Sequence, residues 1–122
     1  MEKIVKNEIK SIGYAISGII IAFKTQSNFR IQFVIGVLAL LLAFVVNFSR
    51  IEWLVLLVSI CLVLSAELIN TVVEHLVDIS FTTYDPKAKI VKDLSAGIVL
   101  LVSIIVFVIG LILFIPHLLS IY

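Results

Sequence analysis

Four polar residues share one helical face in a largely apolar segment, residues 66–78. They are Glu67, Asn70, Glu74 and Asp78. At about 100° per residue, their spacing places all four on one stripe of a helix. Glu67 follows Ile51 by sixteen residues, which is roughly 24 Å along a helix. At that depth in a bilayer an unpaired carboxylate costs roughly 2.5 kcal/mol or more. Its retention therefore indicates a function, such as accepting a proton from a substrate hydroxyl.

A second polar group follows in residues 82–93. Its members are Tyr84, Asp85, Lys87, Lys89, Lys92 and Asp93. Carboxylates that can hold Mg²⁺, beside a lysine that can meet a phosphate, suit phosphoryl transfer. We assign Lys92 to that function and expect Lys87 and Lys89 to contact anionic lipids. The sequence has no glycine-rich phosphate-binding loop of the G-x-x-x-x-G-K-[ST] type.

The composition indicates that these groups belong to a membrane protein. The 122 residues are 62% hydrophobic and only 14% charged, against about 25% charged in soluble domains. The mean hydropathy is +1.29. These values exclude an ordinary soluble domain, a disordered tail and a nucleic-acid binder. We expect a single all-α membrane domain over residues 1–122, because so much apolar surface on a small chain needs a lipid solvent.

Three apolar segments are long enough to cross a bilayer. We predict transmembrane helices over about residues 31–48, 51–79 and 94–115, with Pro116 ending the third. Apolar residues recur at helical spacing before the first span, with lysines falling mostly off that stripe. This pattern predicts a basic amphipathic surface helix over about residues 1–28, lying among the lipid headgroups.

The distribution of basic residues predicts the orientation. Eight of the nine Lys and Arg residues lie before the first span or between the second and third, and Arg50 alone lies in the first turn. By the positive-inside rule, the N-terminus faces the cytoplasm and the C-terminus faces outward. We expect the cytoplasmic (inner) membrane as the location, with residues 80–93 forming a cytoplasmic loop.

The sequence resembles the small prokaryotic integral-membrane lipid kinases, the family of diacylglycerol kinase and undecaprenol kinase. Four stretches carry the resemblance along nearly the whole chain: SIGYAISGI, NFRIQ, AELINTVVEHLVD and TTYDPKAKIVKD. The resemblance implies a homotrimer that phosphorylates a membrane lipid alcohol with ATP and Mg²⁺. The GLILFIP end of the third span and NFRIQ resemble the undecaprenol kinase branch, so we favour undecaprenol over diacylglycerol.

The resemblance also implies residue roles. Glu67 matches the general base, Asn70 an amide that orients the site, and Lys92 the catalytic contact to the γ-phosphate. The residues that match the ATP site are Tyr14, Gln26, Glu74, Thr83, Tyr84, Asp85, Lys92 and Asp93. Glu74 and Gln26 match the Mg²⁺ ligands. Arg30 and Gln32, with Glu67, are expected at the lipid substrate.

Two departures from the family pattern bear on these roles. Gln26 stands where the family usually has a glutamate, and a neutral amide should bind Mg²⁺ more weakly than a carboxylate. Asn7 stands where a relative carries arginine, and Lys6 or Lys10 could supply that charge.

Three alternatives remain at this stage. Glu67 could make only a structural hydrogen bond, to Asn70 or to Ser65 of a neighbouring helix. An oligomer could use Glu67 in a proton or ion pathway. The chain could also bind nucleotide and lipid with catalysis impaired by Gln26. We assign no role to His117.

Overall fold

The protein is an all-α chain of four helices in the part that the computed structural model describes, residues 1–119. The helices are α1 (Glu2–Thr25), α2 (Ser27–Val45), α3 (Arg50–Ser80) and α4 (Pro86–Leu118). Helices α2, α3 and α4 are long and apolar enough to cross a membrane. The prediction of an all-α protein with three such helices is confirmed. Residues 120–122, the end of the expected domain, lie outside the described residues.

The first helix ends earlier than the predicted residue 28. Gln26 has an extended backbone (φ −111°, ψ 105°) and separates α1 from α2. The Arg30 guanidinium donates hydrogen bonds to the backbone oxygens of Phe23 (2.9 Å) and Lys24 (3.0 Å). These bonds satisfy carbonyls that the helix end leaves without intrahelical partners. The break is therefore built into the fold, and α2 begins four residues before the predicted span.

A tight turn, residues 46–49, joins α2 to α3. The predicted span ran to residue 48, but α2 ends at Val45 because Asn47 adopts a left-handed conformation (φ 59°), which asparagine tolerates better than most residues. Ser49 then caps α3. Its hydroxyl accepts a hydrogen bond from the Glu52 backbone N–H, and the Glu52 carboxylate accepts one from the Ser49 N–H. This reciprocal capping box fixes where α3 begins.

Helices α3 and α4 are antiparallel and are linked by a polar pair at each end. Lys92 Nζ lies 2.5 Å from Asp78 Oδ1 at one end, and His117 Nε2 lies 2.5 Å from Glu52 Oε2 at the other. We call the first of these the loop end, because residues 81–85 connect the helices there. The opposite end, which carries the turn at residues 46–49, is the turn end.

The fourth helix begins eight residues before the predicted residue 94. Asp85 caps it by accepting a hydrogen bond from the Lys87 N–H at 2.7 Å, and Pro86 occupies the first turn. Proline suits that position because its φ is already helical and its missing N–H needs no partner. The predicted loop, residues 80–93, is therefore wrong. Only residues 81–85 form the connection, and Lys92 lies on a helix.

Pro116 does not end α4, contrary to the prediction. The helix continues to Leu118, with Pro116 inside its last turn. A proline removes the hydrogen bond to the carbonyl four residues earlier and crowds that carbonyl. Because α4 ends at Leu118, soon after Pro116, the proline removes little of the helical hydrogen-bond pattern.

The turn end is held by aromatic packing as well as by the polar pair. The buried Phe48 ring lies 4.8 Å from the Phe114 ring, 5.1 Å from the His117 ring and 6.1 Å from the Trp53 ring, measured between centroids. His117, which has no role in the sequence analysis, therefore joins α4 to both the turn and α3. Glu52 makes two contacts at the turn end: one carboxylate oxygen accepts the capping hydrogen bond of α3, and the other contacts His117.

Replacing Glu52 with alanine should lower the thermal unfolding midpoint of the purified protein in detergent. The variant loses one side of the capping box, where a lost cap costs about 1 kcal/mol, and it also loses the contact with His117. Glu2→Ala is the matched control, since Glu2 is exposed in the first turn of α1. An unchanged midpoint for Glu52→Ala would show that the turn end does not depend on this carboxylate.

Candidate active site

Glu67 is buried at the centre of the polar stripe. Its residue surface is 2% exposed, and its Oε2 atom has no hydrogen-bond partner among the described residues. The side-chain amide of Gln32 on α2 interacts with the Glu67 carboxyl group. Glu67 thus combines burial with a carboxylate oxygen that no described group occupies, an arrangement that leaves this oxygen able to accept a proton.

A close approach of α2 to α3 brings Gln32 to Glu67. A Cβ added at Gly36 would lie 3.2 Å from the Ile60 side chain. Gly36 is one turn from Gln32, so a glycine at this point lets α2 pack near the stripe. Gln32 Oε1 is itself buried and without a hydrogen-bond partner among the described residues.

Asn70 and Glu74 are the next polar residues along the stripe from Glu67 towards the loop end. Asn70 Nδ2 donates a hydrogen bond to Glu74 Oε1 at 3.3 Å. Asn70 Oδ1 is buried and has no hydrogen-bond partner within residues 1–119. Buried polar atoms are normally paired, so the oxygens of Gln32, Glu67 and Asn70 that lack a partner among the described residues single out this part of the stripe as the candidate site.

The loop end carries a cavity of about 340 Å³ between α3, α4 and their connection. Its lining residues are Val77, Asp78, Phe81, Thr83, Tyr84, Asp85, Ala88, Lys89 and Lys92. The structure therefore brings together four residues of the predicted ATP site, from Thr83 to Asp85 and Lys92. Asp78 also lines the cavity, and its pairing with Lys92 is a contact that the helical spacing of the stripe could not reveal.

Other predicted site residues lie apart from this cavity. The Asp93 carboxylate is 2.5 Å from Lys89 Nζ on the exposed side of α4. Tyr14 is 75% exposed on α1, which packs mainly against α2. Arg30 contacts the C-terminal carbonyls of α1, although its exposed guanidinium retains further N–H donors.

Gln26, the N-cap of α2, and Glu74 on α3 are at similar distances along their chains from the Gln32–Glu67 contact. Gln26 precedes Gln32 by six residues, roughly 9 Å of helix, and Glu74 follows Glu67 by seven residues, roughly 10 Å. Within residues 1–119, no group of three or more His, Cys, Asp and Glu side chains could hold a metal ion. Mg²⁺ commonly uses one or two protein carboxylates together with substrate phosphates and water. Glu74 with the Gln26 carbonyl fits that sparse type of site.

An apolar groove of about 490 Å³ runs between α2, α3 and α4 towards the turn end. Gln32 lines this groove and also interacts with Glu67. Ser59 and Ser103 are further polar residues along its wall. The groove therefore offers a hydrocarbon chain an apolar path that leads to the buried carboxylate.

Comparisons with known proteins match most of this chain to one family. The family model described as prokaryotic diacylglycerol kinase matches residues 13–114. A diacylglycerol kinase from Synechocystis sp. is 40% identical over 119 residues, which are 97% of this chain and 68% of that protein. An undecaprenol kinase from Bacillus subtilis is 37% identical over 109 residues, 89% of each chain. A diacylglycerol kinase from Pseudomonas aeruginosa is 30% identical over 93 residues, 75% of each chain.

These matches agree with the three membrane-spanning helices and confirm the resemblance. Relatives with two different substrate names show similar identity to this chain, so the comparisons do not distinguish between the substrates. The chain is a multi-pass membrane protein, and it belongs to the prokaryotic diacylglycerol kinase family of lipid kinases.

Proposed function

We propose that the protein transfers the γ-phosphoryl group of ATP to the hydroxyl of a membrane lipid alcohol, and that undecaprenol is the favoured substrate. The observation that carries the proposal is the buried Glu67 carboxylate, with an unoccupied oxygen, on the same helix face as Glu74 and Asp78. The lysine-containing cavity at the loop end supplies the second half of a phosphoryl-transfer site.

Glu67 acts as the general base. Its free Oε2 accepts the proton of the lipid hydroxyl as the hydroxyl oxygen attacks the γ-phosphorus. The bond between the γ-phosphorus and the β–γ bridging oxygen breaks, and ADP leaves with that oxygen. Gln32 and Arg30 border the lipid headgroup, and the apolar groove holds the hydrocarbon chain. Asn70 orients Glu74 through their hydrogen bond.

The nucleotide occupies the cavity at the loop end. Lys92 contacts the γ-phosphate, while Thr83, Tyr84 and Asp85 line the remainder of the nucleotide. Catalysis of phosphoryl transfer depends mainly on positioning and charge stabilisation. Asp93 and Tyr14 complete the ATP site in this proposal, which requires contributions from α1 and the exposed side of α4.

Glu74 and the Gln26 carbonyl would hold Mg²⁺ together with the ATP phosphates. When bound, Mg²⁺ supplies positive charge that neutralises the phosphate oxygens. The protein's own contribution to Mg²⁺ binding would be modest, because only one of these two side chains, Glu74, is charged.

The active assembly in this proposal is a homotrimer in the cytoplasmic membrane. Within residues 1–119 of one chain, buried oxygens of Gln32, Glu67 and Asn70 have no hydrogen-bond partner and the cavity is open, so this proposal uses contacts between subunits to enclose both substrates. The N-terminus and the loop end face the cytoplasm, where ATP is available, and the C-terminus faces outward. The excess of basic residues at the loop end supports this orientation.

A second candidate function has one observation in its favour. Gln26 is neutral where the resemblance implies a glutamate, so the metal site lacks one negative charge. Such a protein would bind ATP and lipid with impaired catalysis. The ion-pathway alternative uses Glu67 but gives no role to the cavity that Lys92 lines.

The decisive assay follows radiolabelled phosphate from ATP into lipid in mixed micelles that contain either undecaprenol or diacylglycerol. We expect faster labelling of undecaprenol. Equal or faster labelling of diacylglycerol would reverse the substrate assignment. ATP binding without lipid phosphate would favour the impaired binding protein, and ion flux into liposomes without ATP consumption would favour the ion pathway.

Glu67→Gln should reduce turnover by about 10²-fold or more, because the amide cannot accept the proton. ATP affinity should remain unchanged, since Glu67 is not among the residues that line the nucleotide cavity. Glu8→Gln, an identical chemical change at an exposed position on α1, should behave as wild type. A Glu67→Gln turnover near the wild-type rate would remove Glu67 as the base.

Gln26→Glu should raise turnover and lower the Mg²⁺ concentration required for half-maximal activity, because it adds a carboxylate to the metal site proposed with Glu74. A titration with Mg²⁺ at saturating ATP measures both effects. Asn28→Asp adds the same charge at an exposed neighbouring position and should leave the titration unaltered. If Gln26→Glu also leaves it unaltered, the assignment of Gln26 to the metal site is wrong.

A further inference from the structure

Asp78 belongs to the polar stripe but has no part in the reaction proposed above. It lies one helical turn beyond Glu74 towards the loop end. Its side chain is 63% exposed, and its Oδ1 atom accepts a hydrogen bond from Lys92 Nζ at 2.5 Å. The contact joins α3 to α4, and both residues line the cavity at the loop end.

Lys92 needs a partner to hold one geometry. A lysine side chain is a flexible four-carbon stem that ends in a compact charge, and this one is 41% exposed. The adjacent carboxylate of Asp93 is directed elsewhere, because it pairs with Lys89 at 2.5 Å. The Lys92 ammonium is instead directed towards α3, where Asp78 holds it at the wall of the cavity.

We propose that Asp78 is a positioning residue, which holds the Lys92 ammonium at the cavity wall for phosphoryl transfer. This inference rests on the proposed function of Lys92. An ammonium group has three N–H donors. Asp78 engages one of them, which leaves two that can donate to phosphate oxygens of the nucleotide.

Because the Asp78–Lys92 pair is exposed, a positioning role of Asp78 can be distinguished from a structural one. Ion pairs with exposed side chains contribute little to stability, and α3 and α4 are also joined at the turn end through Glu52 and His117. Removing the Asp78 charge should therefore leave the fold intact while allowing Lys92 to move. A displacement of about 1 Å at a reacting group can reduce a rate by up to about 10²-fold.

The negative charge of Asp78 also predicts which kinetic parameter changes. A carboxylate near the phosphates opposes ATP binding through like-charge repulsion, while its hold on Lys92 favours the transition state. Loss of the carboxylate should therefore lower kcat, whereas the KM for ATP should stay constant or fall. A variant that had merely disturbed the cavity would instead raise KM.

The test measures kcat, the KM for ATP and the thermal midpoint of Asp78→Asn in the full-length protein in mixed micelles. We expect kcat to fall about tenfold, with an unchanged midpoint and no rise in KM. Asp78→Glu keeps the carboxylate and should recover part of the rate. Glu2→Gln breaks the exposed Glu2–Lys6 pair (3.4 Å) on α1 and should match wild type.

A double-mutant cycle with Lys92→Met tests whether Asp78 acts through Lys92. The substitution at Asp78 should have no further effect on kcat once the ammonium is absent. An equal loss in both backgrounds would overturn the inference, as would a wild-type kcat for Asp78→Asn. If Asp78→Asn lowers the midpoint, the result for Asp78→Glu decides, because that variant retains the ion pair. Failure of the wild type to phosphorylate any alcohol would instead contradict the proposed function.

Discussion

Two polar pairs mark the antiparallel register of α3 and α4, and the functional geometry depends on that register. Asp78 meets Lys92 at the loop end, and Glu52 meets His117 at the turn end. Apolar helices in lipid can slide past one another at little cost, because lipid tails replace side-chain contacts readily. A polar contact at each end is made in this alignment. This alignment places the lysine of α4 beside the acidic stripe of α3, where a phosphate would meet both.

The packed helices also keep the carboxyl group of Glu67 away from water. Glu67 is buried, and one of its oxygens has no partner among the described residues. That arrangement lowers the stability of the fold, because a buried carboxyl group is stabilised most when all its oxygen lone pairs accept hydrogen bonds. In the proposed mechanism it serves catalysis, because a proton acceptor must keep an oxygen free for the substrate. The close approach of α2 at Gly36 provides a partial partner through Gln32 and leaves the other oxygen available.

Much of this architecture was predictable from the sequence. The apolar lengths gave three spans, and the helical spacing gave a stripe from Glu67 to Asp78. The helix ends were predicted less well, because they depend on local contacts that hydropathy does not contain. Asn47 ends α2 through its left-handed backbone, and Asp85 caps a fourth helix that starts before its apolar segment. The partner of His117 was missed because it lies sixty-five residues away in the chain. Periodicity places residues on a face, but it does not show what that face meets.

Helix length explains why the reaction can take place at the membrane boundary. The 31 residues of α3 span roughly 46 Å, whereas the hydrocarbon core of a bilayer is about 30 Å thick. A single helix is therefore long enough to carry Glu67 within the apolar region and Asp78 beyond it. Because α4 has 33 residues and begins at Pro86, Lys92 reaches the level of Asp78 from a helix instead of from the connecting loop. A lipid hydroxyl and a water-soluble nucleotide can then approach one rigid surface from opposite phases, and neither has to cross into the other.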